Sequence, residues 1–209
     1  MALTEAAGRV LGCLVEKQVT TPQLYPLTDN ALIAACNQTT NREPVVAYDV
    51  ATVRMAVRTL REQGLLRTVH RTGERSDKHQ HLLDSALTLS PGQVALLAAL
   101  LLRGPQTLAE LRAHTERLHA FDSLEHVEDA LTDLIERDEA LVRRHERQPG
   151  HKEARYGQLL VEAEHAQVEP PTAAPTLAAL SQQIALLRAE VAEVRSQVDR
   201  LRQQQADRD

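Results

Sequence analysis

Arg54, Arg58 and Arg61 recur through DVATVRMAVRTLREQ, residues 49–63. At about 100° per residue they fall on one strip of a helix. Val53, Ala56, Val57 and Leu60 form a core stripe beside them, and Asp49 is placed to cap the helix. Arginines in such a row can reach phosphates or a guanine edge in a major groove. The same row also occurs where a charged face is merely solvated. Downstream, LLRTVHRTGERSDKHQHLL adds Arg67, Arg71, Arg75 and Lys78 on two strand-like runs joined by a polar turn with Gly. From Arg42 to His81 eight basic residues face five acidic ones, a net +3 that suits phosphate contact.

Other chemistries find little support. His70, His79 and His81 could hold a metal on a hairpin, but no Cys lies near them, so the expectation is a solvated wing with no metal. His114 and His119 are five apart, which misses the spacing of one helical face. A phosphate-cradling Gly-rich loop, a nucleophile elbow and Cys pairs at zinc spacing are all lacking, so neither catalytic residues nor a cofactor is expected. Aromatics are only 2% of the chain, which argues against binding single strands by base stacking.

The polar stretch ACNQTTNREPV, residues 35–45, joins two helical segments. Asn37 and Asn41 can terminate a helix and Pro44 bars a helical run through Glu43, so it is first a bend. Arg42, with Gln38 and Thr40 beside it, is the expected DNA contact of this turn.

The elements that must position these residues occur twice. LTEAAGRVLGCLVEKQVTT (3–21) aligns without gaps against LSPGQVALLAALLLRGPQT (89–107), and each opens with a hydrophobic residue and an N-cap, Thr4 or Ser90. Val53, Val57 and Leu60 then match Val127, Leu131 and Leu134, and each copy ends in a hairpin signal. Helix, short helix, longer helix and hairpin is the order of a winged helix-turn-helix. The expected fold is therefore mainly α with small β-hairpin wings. It comprises winged-helix units at 1–88 and 89–165, a Pro/Ala-rich linker at 166–176 and a coiled-coil helix at 177–205. Hydrophobic residues are 43% of the chain with no Trp, so the cores are built of aliphatic side chains.

The net charge of −5 divides as +1 for residues 1–88, −5 for 89–165 and −1 for the tail. Between Leu124 and Glu139 the second copy carries Glu125, Glu128, Asp129, Asp133, Glu136, Asp138 and Glu139 against Arg137 alone. A DNA backbone repels such a helix. The second unit is expected to support a dimer, pack on the first unit or bind a protein partner, with the basic wing RRHERQPGHKEARYGQ as a separate contact.

In the tail, Leu177, Ile184, Val191 and Val198 occupy a positions and Leu180, Leu187, Val194 and Leu201 occupy d positions. Mostly β-branched a residues against mostly Leu at d favour a parallel homodimer, and Glu190 would meet Arg195 across it. The alternative is a monomeric helix folded back on a winged-helix unit, since a short helix needs its stripe buried. Cys13 and Cys36 are too few for a disulfide framework and read as buried thiols of a cytoplasmic protein. The longest apolar run, VALLAALLL at 94–102, is shorter than a membrane span, and the N-terminus carries no basic export region.

EKQVTTPQLYPLTDNALIAACNQTTNREPV (16–45), REQGLLR, RGPQTLAELRAHTERLHAF (103–121) and RQPGHKEARYGQLL (147–160) together resemble the YceH family of uncharacterised bacterial proteins. The resemblance spans residues 3–160 and implies a tandem winged-helix protein, but no particular activity or ligand. The chain departs from that pattern in the first wing, where His79 replaces a usual aromatic. Two functions follow as expectations. One is a dimeric, regulator-like protein that binds duplex DNA through Arg42, Arg54, Arg58, Arg61, Arg71, Arg75 and Lys78. The other is a scaffold whose winged helices dock partner proteins and no DNA.

Overall fold

The computed structural model describes residues 2–70, 76–146 and 153–162, which belong to one compact unit. Arg71, Arg75, the linker at 166–176 and the helix expected at 177–205, with its apolar positions from Leu177 to Leu201, lie outside the described residues.

Side-chain caps set where the helices begin. Thr4 Oγ1 accepts from the Ala7 amide at 3.2 Å to open α1 (Glu5–Thr20). Thr28 caps α2 (Asp29–Cys36), and Asp49 Oδ1 accepts from the Thr52 amide at 2.8 Å to open α3 (Val50–Glu62). A short α4 (Leu83–Leu87) leads to α5 (Pro91–Arg103), where Ser90 and Gln93 cap each other reciprocally. Thr107 and Glu110 do the same for α6 (Leu108–Thr115), and Ser123 caps α7 (Leu124–Ile135).

Strands are short and antiparallel. β1 (Leu27–Thr28) and β2 (Leu66–Val69) flank β3 (Lys78–His81), with Leu27 opposite His79 and Leu66 opposite His81. β4 (Val142–Arg144) pairs with β5 (Tyr156–Gln158), and Gln106 bridges Tyr156 where β1 would stand in the first copy. The architecture is thus mainly helical with small antiparallel sheets. The order helix, strand or bridge, helix, helix, hairpin runs twice.

One continuous apolar core serves both copies. Ala7–Val15 of α1 and Val94–Leu102 of α5 are buried at every position, so these are the central helices. That accounts for the uninterrupted VALLAALLL run. The two helices approach closely because Gly12 carries no side chain: a Cβ there would stand 2.9 Å from Leu102 Cγ. Cys13 and Cys36 are free and buried in the same core. No helix among the described residues is long and apolar enough to cross a membrane.

Candidate nucleic-acid interface

α3 turns Val53, Ala56, Val57 and Leu60 inward and leaves Arg54, Arg58 and Arg61 exposed on the opposite flank. Met55, 59% exposed, lies among them. Among the described residues the Arg58 and Arg61 guanidiniums have no hydrogen-bond or ion-pair partner. Arg54 differs, since its Nε donates to Asp29 Oδ2 at 2.8 Å. The other oxygen of Asp29 lies 2.8 Å from Nε2 of the buried His79, whose Nδ1 is 3.3 Å from Thr68 Oγ1. Asp29 therefore ties the start of α2 to α3 and to the central strand of the wing. Partial burial pushes its carboxyl up, but the bonds from Arg54 and His79 outweigh this and hold it below the usual carboxylate range.

Arg67 is exposed on β2, and Lys78 is half-buried at the start of β3. At the edge of the wing His70 Nδ1 lies 2.7 Å from Asp77 Oδ1. The histidines of β3 are turned inward rather than solvated. His81 Nδ1 accepts from the Leu83 amide at 3.3 Å, so Nε2 carries the ring proton and donates to Gln18 Oε1. Burial lowers the His81 pKa, and the ring is held neutral.

Arg42 is a correction to the expected DNA-contact set. It is only 6% exposed, and it faces the core of the bend instead of solvent. Its Nη1 and Nη2 donate to the two oxygens of Glu16 at 3.1 and 2.6 Å, and its Nε donates to the Ala35 carbonyl at 3.1 Å. Gln38 Oε1 and the Asn41 carbonyl accept its remaining protons. The whole bend is held by such bonds. Asn37 exchanges two hydrogen bonds of 2.8 Å with the backbone of Tyr48, and the Glu43 amide donates to the Leu102 carbonyl at 2.8 Å. Asn41 takes a left-handed φ of 60°, and its side chain accepts from Arg103. This stretch is a bend anchored on α1 and α5.

The matching surface of the second copy has the opposite sign. Glu125, Glu128, Asp129, Asp133, Glu136, Asp138 and Glu139 are all exposed, while Arg137 donates to the Leu87 carbonyl at 2.7 Å. Arg143 and Arg144 are exposed on β4. No His, Cys, Asp and Glu cluster among the described residues could hold a metal ion. The partners missed in the sequence are Asp29 and Glu16, each far along the chain from the arginine it binds.

A family profile described as "Protein of unknown function, DUF480" matches residues 3–151. The chain belongs to the DUF480 family. Its relatives include a UPF0502 protein of Koribacter versatilis, 49% identical over 161 residues that cover 77% of this chain and 75% of that one. A UPF0502 protein of Geobacter metallireducens is 50% identical over 82% of this chain and 78% of its own. One from Opitutus terrae is 44% identical over 89% and 83% respectively. The DUF480 match contains α3, the β2–β3 wing, the 35–45 bend and the acidic α7.

Proposed function

We propose that this DUF480 chain is a cytoplasmic, non-enzymatic, regulator-like protein built of two winged helix-turn-helix units, and that the first unit binds duplex DNA. α3 acts as the recognition helix, and the β2–β3 hairpin acts as the wing that grips adjacent phosphates. The observation that carries this reading is the pair Arg58 and Arg61, exposed and unpartnered on α3 among the described residues. Arg54 joins them once its bond to Asp29 gives way to a phosphate. Arg71, Arg75 and Lys78 extend the contact along the wing, and a coiled-coil homodimer through the tail doubles the site.

The test is fluorescence anisotropy with sheared genomic duplex over a salt series, comparing the native chain with Arg58→Glu/Arg61→Glu. Among the described residues these two side chains hold nothing in the fold, so their reversal reads DNA contact. The native chain should bind more weakly as salt rises, and the double variant should lose about tenfold or more in affinity. Absence of binding at low salt would rule this reading out. The exposed acids of α7 favour a second reading, a scaffold that docks a basic protein surface. It predicts no DNA binding and an interaction abolished by reversing Glu128 and Asp129.

A further inference from the structure

A cavity of about 380 Å³ stands apart from the arginine strip. The first half of α1, the bend at 43–48, the end of α5 and the β4–β5 hairpin all contribute to its walls. Leu100, Leu101 and Val161 make much of it apolar. Among this lining Arg9 is only 4% exposed. Its Nη2 donates to the Pro44 carbonyl at 2.6 Å, but among the described residues its Nη1 has no hydrogen-bond partner and no carboxylate lies within ion-pair distance. A buried cation with an unmet donor is costly, so natural folds supply an acceptor, from the chain, water or a ligand.

The other charged groups narrow the class of that ligand. Arg143 lines the cavity from β4, and His145 packs across Gly157, where any Cβ would collide with the imidazole. Burial and the Arg143 charge lower the His145 pKa, and its ring can offer a hydrogen bond. Glu5 and Glu43, both exposed, line the same space and repel a multiply charged ligand. Volume and apolar walls suit a compact organic body.

We propose that this cavity binds a small organic monocarboxylate with an apolar body, its carboxylate paired with the Arg9 guanidinium. Such a ligand touches α1 and the bend of the first copy and α5 and the hairpin of the second. It would therefore favour one packing of the two copies. This inference does not rest on the DNA reading.

The experiment is amide NMR of the full chain titrated with sodium benzoate and sodium hexanoate, with benzamide and inorganic phosphate as comparisons. One or both carboxylates should shift the Gly104, His145 and Gly157 amides to saturation. Benzamide should bind those residues about tenfold or more weakly than benzoate, and phosphate should not saturate them. Arg9→Gln should abolish carboxylate saturation, and Arg143→Gln, at an exposed position, should weaken it. If Arg9→Gln fails to fold, the comparison of benzoate with benzamide on the native chain decides. Equal binding of benzamide, saturation by phosphate, no saturable shift with either carboxylate, or shifts spread over exposed arginines such as Arg58 would overturn the proposal.

Discussion

Arg42 and Glu16 form the most consequential ion pair of the first copy. The Arg42 guanidinium is fully enclosed, with Nη2 at 2.6 Å from Glu16 Oε2. Arg42→Met would leave that carboxylate largely buried with Lys17 Nζ, 3.5 Å away, as its remaining counter-ion, so the loss should fall toward the lower end of the about 3–5 kcal/mol that breaking a buried pair costs. Urea unfolding should show the loss, while duplex binding per folded molecule should stay unchanged, since Arg42 faces inward. The pair also makes stability depend on pH. Burial raises the Glu16 pKa, but the hydrogen bonds and charge of Arg42 lower it further, to a folded value below the usual 4.5. The unfolded chain therefore binds the Glu16 proton more tightly. The contribution of the pair is complete above the unfolded value and is lost as pH falls through the folded one. Glu16→Gln should lower Tm at neutral pH and narrow the difference in Tm between about pH 7 and about pH 3. The bend containing Arg42 was legible as a bend from Asn37, Asn41 and Pro44. The inward turn of Arg42 was not, because Glu16 lies 26 residues earlier on another helix.

At the level of elements, α3 was the most legible part of the candidate interface. Its stripe of Val53, Ala56, Val57 and Leu60, its Asp49 cap and its exposed arginine flank all follow from local helical spacing. The two-residue β1 was not visible, because so short a strand exists only through its pairing with β3. Nor did periodicity indicate that α1 and α5 lie against each other through Gly12. Gly12→Ala tests that packing. The added methyl would sit 2.9 Å from Leu102 Cγ and 3.2 Å from Leu101 Cβ, so the helices must separate. Overpacking of this kind costs about 1–3 kcal/mol, more than the helix propensity that Ala restores. A lower unfolding midpoint in urea is expected, and an unchanged one would show that the α1–α5 contact yields easily.

On the scale of the whole molecule, the expected assembly depends on the tail. Truncation after Pro175 should convert a dimer to a monomer by light scattering, and should weaken duplex binding by removing the second copy of the site. An unchanged mass would remove the coiled-coil dimer. Each copy's helix order could be read from the amino-acid sequence, because caps, apolar periodicity and turn residues act over a few neighbours. So could the contrast between a basic α3 and an acidic α7, which is a matter of composition. What only the tertiary structure decided is how distant groups share space. It occupies Arg54 with Asp29, encloses Arg42 with Glu16, turns His79 and His81 inward, and leaves Arg9 on a cavity lined by both copies. The physical reason is the same in each case. A charged side chain's partner is fixed by which surfaces the apolar core brings together, and spacing along one helix carries no record of that.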